Sequence, residues 1–170
     1  MSNRIATLGP EGTDSHWQAK RLGVEVELFE TYHAALEHAK KYKTRLLVPA
    51  GFKEIYKGTL VSWVDVHFKN IDSLELETVW YDKTLPMVLL HQSYQRIALH
   101  PSTCALVPDL ERYTDIIYTR SKVEAYQLFE QGEATAAIVS ASLTKDLTDF
   151  APIKQRMTPT MVWCLYRVKK

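Results

Sequence analysis

From Arg4 to Pro49 the chain alternates short apolar runs with helix-like stretches, and this alternation restricts the fold more than any other feature. Residues 4–8 read as a buried strand. A helix over about 14–22 follows, ended by Gly23. Residues 24–29 alternate apolar and acidic side chains, which suits a second strand. Thr31 is placed to cap a helix running through Ala34, Ala35, Leu36 and Ala39. Its last turn carries Lys40, Lys41 and Lys43, which favour the negative helix end. Residues 45–48 form a third strand, stopped at Pro49. Strand, helix, strand, helix, strand is the grammar of a parallel α/β sheet.

The middle of the chain is less regular. Residues 74–81 and 87–90 read as strands separated by Lys83, Thr84, Leu85 and Pro86. Residues 96–99 open a second α/β set, with a helix starting near Pro101 and Ser102 and a strand over 115–119. Ser121 and Glu124 have capping-box spacing for a helix that stops at Gly132. Strands over 136–139 and 161–168 complete the set. The expected architecture is α/β with two lobes, lobe 1 about 1–85 plus 150–170 and lobe 2 about 86–149. Clefts between such lobes are common ligand sites.

The loop after the first strand reads Gly9-Pro10-Glu11-Gly12-Thr13-Asp14-Ser15. Glycines let backbone approach a ligand, and the first turn of a helix presents N–H groups with partial positive charge. Such a layout suits an anion. The net charge of +1 gives no general attraction to nucleic acid or anionic membrane, so any anion preference must be local. Cys104 and Cys164 do not make a disulfide framework, and a reducing cytoplasm is expected. No run approaches the roughly 20 apolar residues of a membrane span, and the start lacks a signal-peptide core. His33 and His38 are five apart, the wrong spacing for one helix face, so no metal is expected there.

Several segments resemble the prephenate dehydratase family, in order along the chain. Residues 9–15 are similar to that family's Gly-Pro-x-Gly-Thr-x-Ser. Leu46-Leu47-Val48-Pro49 is similar to the stretch that the family follows with Glu-Asn-Ser. His100-Pro101-Ser102 resembles its Ser-His-Pro-Gln segment. Ser121-Lys122-Val123-Glu124-Ala125 and Ala136-Ala137-Ile138-Val139-Ser140 resemble its Ser-Thr-Ala-Glu-Ala and Ala-Ala-Ile-Ala-Ser. The resemblance implies a two-lobed fold like type II periplasmic binding proteins, with a small dicarboxylate substrate between the lobes and no cofactor. It also implies pairing into a homodimer.

Two departures stand out. Ala50-Gly51-Phe52-Lys53 replaces Glu-Asn-Ser, and Thr160-Met161-Val162 stands where the family has its catalytic Thr-Arg-Phe. The family's regulatory ACT domain is not expected in this chain. Prephenate decarboxylases of the bacilysin type depart in a similar way, with a Met-x-Trp strand like Met161-Val162-Trp163 and a bare Val-Pro like Val48-Pro49. The expected activity is therefore a lyase that decarboxylates prephenate without aromatising it, in specialised-metabolite biosynthesis. Dehydration to phenylpyruvate, a related cyclic or aryl-keto acid substrate, and carboxylate binding without turnover are the alternatives. Binding two carboxylates needs donors, each charged hydrogen bond giving roughly 1.5–3 kcal/mol. Candidate substrate-binding groups are Gly12, Thr13, Ser15, Pro49, Ser121, Arg120 and Arg156, and candidate catalytic groups are Thr160 and His100.

Overall fold

A computed structural model describes residues 3–145 and 152–169. The first half holds β1 (Arg4–Leu8), α1 (Asp14–Lys20), β2 (Glu25–Phe29), α2 (Tyr32–Tyr42), β3 (Arg45–Pro49), β4 (Lys53–Tyr56), β5 (Thr59–Ser62) and α3 (Trp63–Lys69). Then come β6 (Leu74–Lys83), β7 (Met87–His91), β8 (Arg96–Leu99), two 3₁₀ turns (Pro101–Leu106 and Leu110–Arg112) and β9 (Asp115–Tyr118). The chain ends with α4 (Lys122–Glu130), β10 (Ala136–Ser140), a 3₁₀ turn (Ala141–Thr144), β11 (Ile153–Met157) and β12 (Thr160–Val168).

The chain divides into two compact units. Unit 1 is Met1–Phe52, Val61–Thr84 and Thr160–Lys170; unit 2 is Lys53–Leu60 and Leu85–Pro159. The return to unit 1 thus falls at Thr160, not near residue 150 as the sequence suggested. The reason is β11, a short polar strand that pairs antiparallel with β7 and stays in unit 2.

In unit 1 the sheet order is β2-β1-β3-β12-β6. β1 runs parallel to β2 and β3, and β12 runs antiparallel to β3 and β6. Side chains alternate between the two faces, as strand geometry requires. Ile5, Leu47, Trp163 and Leu165 pack with Ala19 of α1. Ala6, Leu46, Val48, Cys164 and Tyr166 pack on the other face with Ala35, Leu36 and Ala39 of α2 and Val66 of α3. Burying two apolar faces fully is what stabilises a five-stranded sheet of mostly short strands. Thr31 caps α2 through its side chain, which accepts from the Ala34 N–H at 3.1 Å. Strand β6 forms one margin of this sheet. At 10 residues it is the longest strand, and Leu76, Val79 and Tyr81 on it are exposed.

Unit 2 repeats the plan. Its order is β9-β8-β10-β7-β11, read from the parallel side. β8 runs parallel to β9 and β10; β7 runs antiparallel to β10 and β11. Leu89, Ile97, Leu99 and Ile138 pack under the 3₁₀ turns with Val107 and Tyr113, while Leu90, Ala98, Ala137 and Val139 pack against Ala125 of α4. Both units therefore place a first strand between its two parallel neighbours, with the chain leaving to one side and returning on the other. Ligands bind in such α/β sheets beyond the carboxyl ends of the strands at that reversal.

Candidate functional site

The carboxyl margin of the unit 1 sheet is where most of the candidate residues gather. Gly9 follows β1 directly, and its N–H donates to the Phe29 carbonyl at 2.8 Å. Pro49 ends β3 and lies opposite Trp163, so the start of β12, Thr160 to Val162, reaches the same margin. The 9–15 loop, Pro49 and Thr160 are thus brought to one edge of one sheet by register alone.

The loop is more self-contained than its sequence implied. Thr13 is the N-cap of α1: its Oγ1 accepts from the His16 N–H at 3.3 Å and donates to the Pro10 carbonyl at 3.0 Å. The Gly12 N–H, at φ +83° where glycine is favoured, donates to His16 Nδ1 at 3.0 Å. Ser15 is buried and its hydroxyl lies 2.6 Å from the Tyr32 hydroxyl. Tyr32 was not foreseen, because nothing in the spacing links it to position 15. The Gly12 N–H and the Thr13 hydroxyl thus bond within the loop, and the Ser15 hydroxyl ties it to α2.

The two departures from the dehydratase pattern meet at this margin. A Cβ added to Gly51 would lie 2.8 Å from Cε and 2.9 Å from Sδ of Met161. The Ala50 N–H donates to the Val162 carbonyl at 2.8 Å. Met161 is part-buried against Trp163 and Leu47. Where the family pattern has arginine, this chain has an apolar side chain that fills the space left by Gly51. Thr160 is exposed and pairs in register with Lys83 of β6. Behind the margin, Gln18 is buried, accepts from Trp80 Nε1 at 3.2 Å and donates to Asp82 at 3.2 Å, while Arg21 pairs with Asp82. Trp163 Nε1 is buried and has no partner.

The equivalent margin of unit 2 carries the other candidates. Ser121 caps α4, accepting from the Glu124 N–H at 3.1 Å. The Glu124 carboxylate reaches back one residue further than a capping box, to the Arg120 N–H at 2.7 Å. Arg120 is exposed, its Nε 3.6 Å from Glu124. His100 follows β8, and its Nδ1 accepts from the Ser102 N–H at 3.2 Å. Burial, followed by the charge of Lys122, holds the His100 imidazole down to about 4. His100 is therefore neutral near pH 7. Lys122, the first residue of α4, was passed over although it directly follows the cap. Arg156 is exposed on β11, at the opposite edge of the sheet from β9. Four strand spacings separate them, about 19 Å, so Arg156 and Arg120 do not stand side by side.

No family profile matches the chain, and no curated protein matches it in sequence. Solved structures do. A quorum-quenching acylase, GqqA, matches at TM-score 0.54 and 14% identity, covering 98% of this chain and 64% of that one. The prephenate dehydratase of Staphylococcus aureus matches at 0.53 and 11%, covering 96% and 66%. The periplasmic VFT2 domain of Bordetella pertussis BvgS matches at 0.54 and 12%, covering 97% and 80%. The chain spans under two thirds of GqqA's length and about two thirds of the dehydratase's. At these identities the shared property is the fold, an α/β fold of the type II periplasmic-binding-protein and prephenate dehydratase kind. Among the described residues no helix is long and apolar enough to cross a membrane, and no group of three or more metal-ligating side chains stands together.

Proposed function

We propose that this chain is a lyase that binds prephenate as a dianion and decarboxylates it without aromatising the ring. Prephenate carries a carboxylate and a pyruvyl side chain on one ring carbon and a hydroxyl on the carbon opposite. In a dehydratase, carbon dioxide and the hydroxyl leave together and aromatisation drives the reaction. In the decarboxylase reaction the bond to the ring carboxylate breaks, its electron pair moves into the ring diene, and a ring carbon takes a proton. The hydroxyl stays, so a group that helps it leave is a liability.

The observation that carries this reading is the Gly51–Met161 contact. It makes the two departures from the dehydratase pattern one packing unit, with a thioether where a guanidinium would assist the hydroxyl. Thr160 remains at the margin as a hydroxyl donor. The product would be a dihydro-4-hydroxyphenylpyruvate.

The test is to incubate the pure protein with prephenate and follow the ultraviolet spectrum, with chromatographic separation of the keto acids. A non-aromatic product is expected. Phenylpyruvate as the main product sinks the decarboxylase reading in favour of dehydration. A second reading, carboxylate binding without turnover, is favoured by the loop hydroxyls of Thr13 and Ser15 being committed to the protein itself. It predicts saturable binding of prephenate with no product.

A further inference from the structure

We infer that His100 is a neutral hydrogen-bond donor locked in one tautomer, which offers Nε2–H to a carboxylate or keto oxygen of the ligand and carries no proton through the reaction. The inference rests on the prephenate reading for its substrate, but its physical basis is local to unit 2.

His100 leaves β8 with extended backbone, φ −71° and ψ 137°, and its ring folds over the turn that follows. Nδ1 receives the Ser102 N–H at 3.2 Å. A ring nitrogen that accepts cannot carry a proton, so the neutral imidazole must carry its hydrogen on Nε2. The backbone around it is tied down. The Thr103 hydroxyl and N–H donate to the His100 carbonyl at 2.7 and 2.9 Å. The Ser102 hydroxyl accepts from the Lys53 N–H at 2.9 Å and donates to the Lys53 carbonyl at 3.3 Å. The Thr119 N–H donates to the Leu99 carbonyl at 3.0 Å, which fixes the strand just before.

Protonating the ring would set a second N–H against the Ser102 N–H. The one charged group that bears on the ring is Lys122 of α4, and it disfavours a second cation. Among the described residues no acceptor stands against Nε2, and His100 is only part-buried. The donor is therefore available to a partner outside the protein's own network, for which a carboxylate or keto oxygen has the right chemistry.

Two variants separate the nitrogens. In His100→Asn the amide oxygen stands in for Nδ1 and keeps the Ser102 contact, while the Nε2 donor is gone. In His100→Gln the amide N–H stands near the Nε2 position. The expected result is a fall of about ten- to hundredfold in kcat/KM for prephenate in His100→Asn, with partial recovery in His100→Gln. The wild-type pH profile should show no inflection from His100 between pH 5.5 and 8. Independently of activity, nitrogen-15 spectra of the imidazole should report hydrogen on Nε2 and none on Nδ1 across that range, and the Nε2 proton should shift on adding phenylpyruvate.

Hydrogen on Nδ1, or a titration near pH 6.5, overturns the inference. So does a His100→Asn protein that turns prephenate over like wild type, an outcome that leaves the prephenate reading standing. If neither wild type nor variants act on prephenate, the substrate reading fails. The donor role then stands on an Nε2 proton shift with phenylpyruvate in wild type together with weaker phenylpyruvate binding in His100→Asn, and falls if either is missing.

Discussion

The two units have one topology and fill the same margin of it differently. In unit 1 the turn after the first strand is rich in donors, yet the Thr13 hydroxyl and the Gly12 N–H donate to Pro10 and His16, and the Ser15 hydroxyl pairs with that of Tyr32. In unit 2 the corresponding turn is tied as firmly, through Ser102 and Thr103, yet among the described residues His100 keeps a ring donor with no acceptor. A glycine-rich loop therefore marks a place where backbone can approach a ligand, while the available hydrogen bonds are decided by what else the loop must hold together. Donor content of a sequence and donor availability in a fold are separate quantities.

The largest effect that tests this contrast is on acid stability. His100 is neutral in the folded protein and held down to about 4, against 6.5 for the unperturbed group. A histidine whose folded value is lowered stabilises the fold fully above pH 6.5, and that stabilisation is lost as pH falls toward 4. At 1.36 kcal/mol per unit the loss is about 3 kcal/mol. Burial lowers His91 too, in the same direction. Urea midpoints measured from pH 7.5 to pH 4 should fall more steeply in wild type than in His100→Asn. Equal slopes would remove His100 as the source.

Next in size is Ser15→Ala. It removes the 2.6 Å bond between two buried hydroxyls and should cost about 0.5–1.5 kcal/mol by chemical denaturation. If the loss is under about 0.5 kcal/mol, the pair is not holding the loop and unit 1 is less self-contained than argued.

Thr13→Val removes the α1 cap and should destabilise by about 1 kcal/mol. The sequence marks Thr13 only as a candidate binding group, and the cap gives it a structural role as well. Kinetics for prephenate must therefore be read after correcting for the folded fraction, and an unchanged kcat/KM takes Thr13 out of the ligand site. The smallest effect belongs to Arg120→Ala. The side chain is 94% exposed and its ion pair with Glu124 is 3.6 Å long, so stability should move by less than about 0.5 kcal/mol. A tenfold rise in KM in the same variant would identify Arg120 as a ligand contact in spite of its exposure.

Much of the fold was legible because alternation of apolar residues is a direct record of two-faced strands. Thr31 and Ser121 were found as caps because a hydroxyl before an apolar run has one common use. Helix α3 was not read: Trp63, Val64, Val66 and Phe68 are residue types that favour strands, and packing of Val66 and Trp63 on the Tyr166 side of the sheet overrides that preference. The β4–β5 hairpin was missed although Lys57-Gly58, both at positive φ, is the turn that joins it. Strand β11 was missed because Lys154, Gln155 and Arg156 are exposed at an edge and leave no apolar rhythm. The candidate site was legible as segments, since β-strand register carries the 9–15 loop, Pro49 and Thr160 to one margin. It was not legible as contacts. Ser15 with Tyr32 and Gly51 with Met161 are meetings across the fold that no local spacing encodes.

Strand β6 has a practical consequence. Among the described residues its ten positions border the unit 1 sheet with a strand on one side only, and Val79 and Tyr81 on it are exposed. An uncapped ladder of that length is a template on which other extended chains can zip up in concentrated solution. Placing a lysine at Val79 would discourage such filament seeding while sparing both candidate margins, and would be the first change to make before crystallisation or prolonged storage.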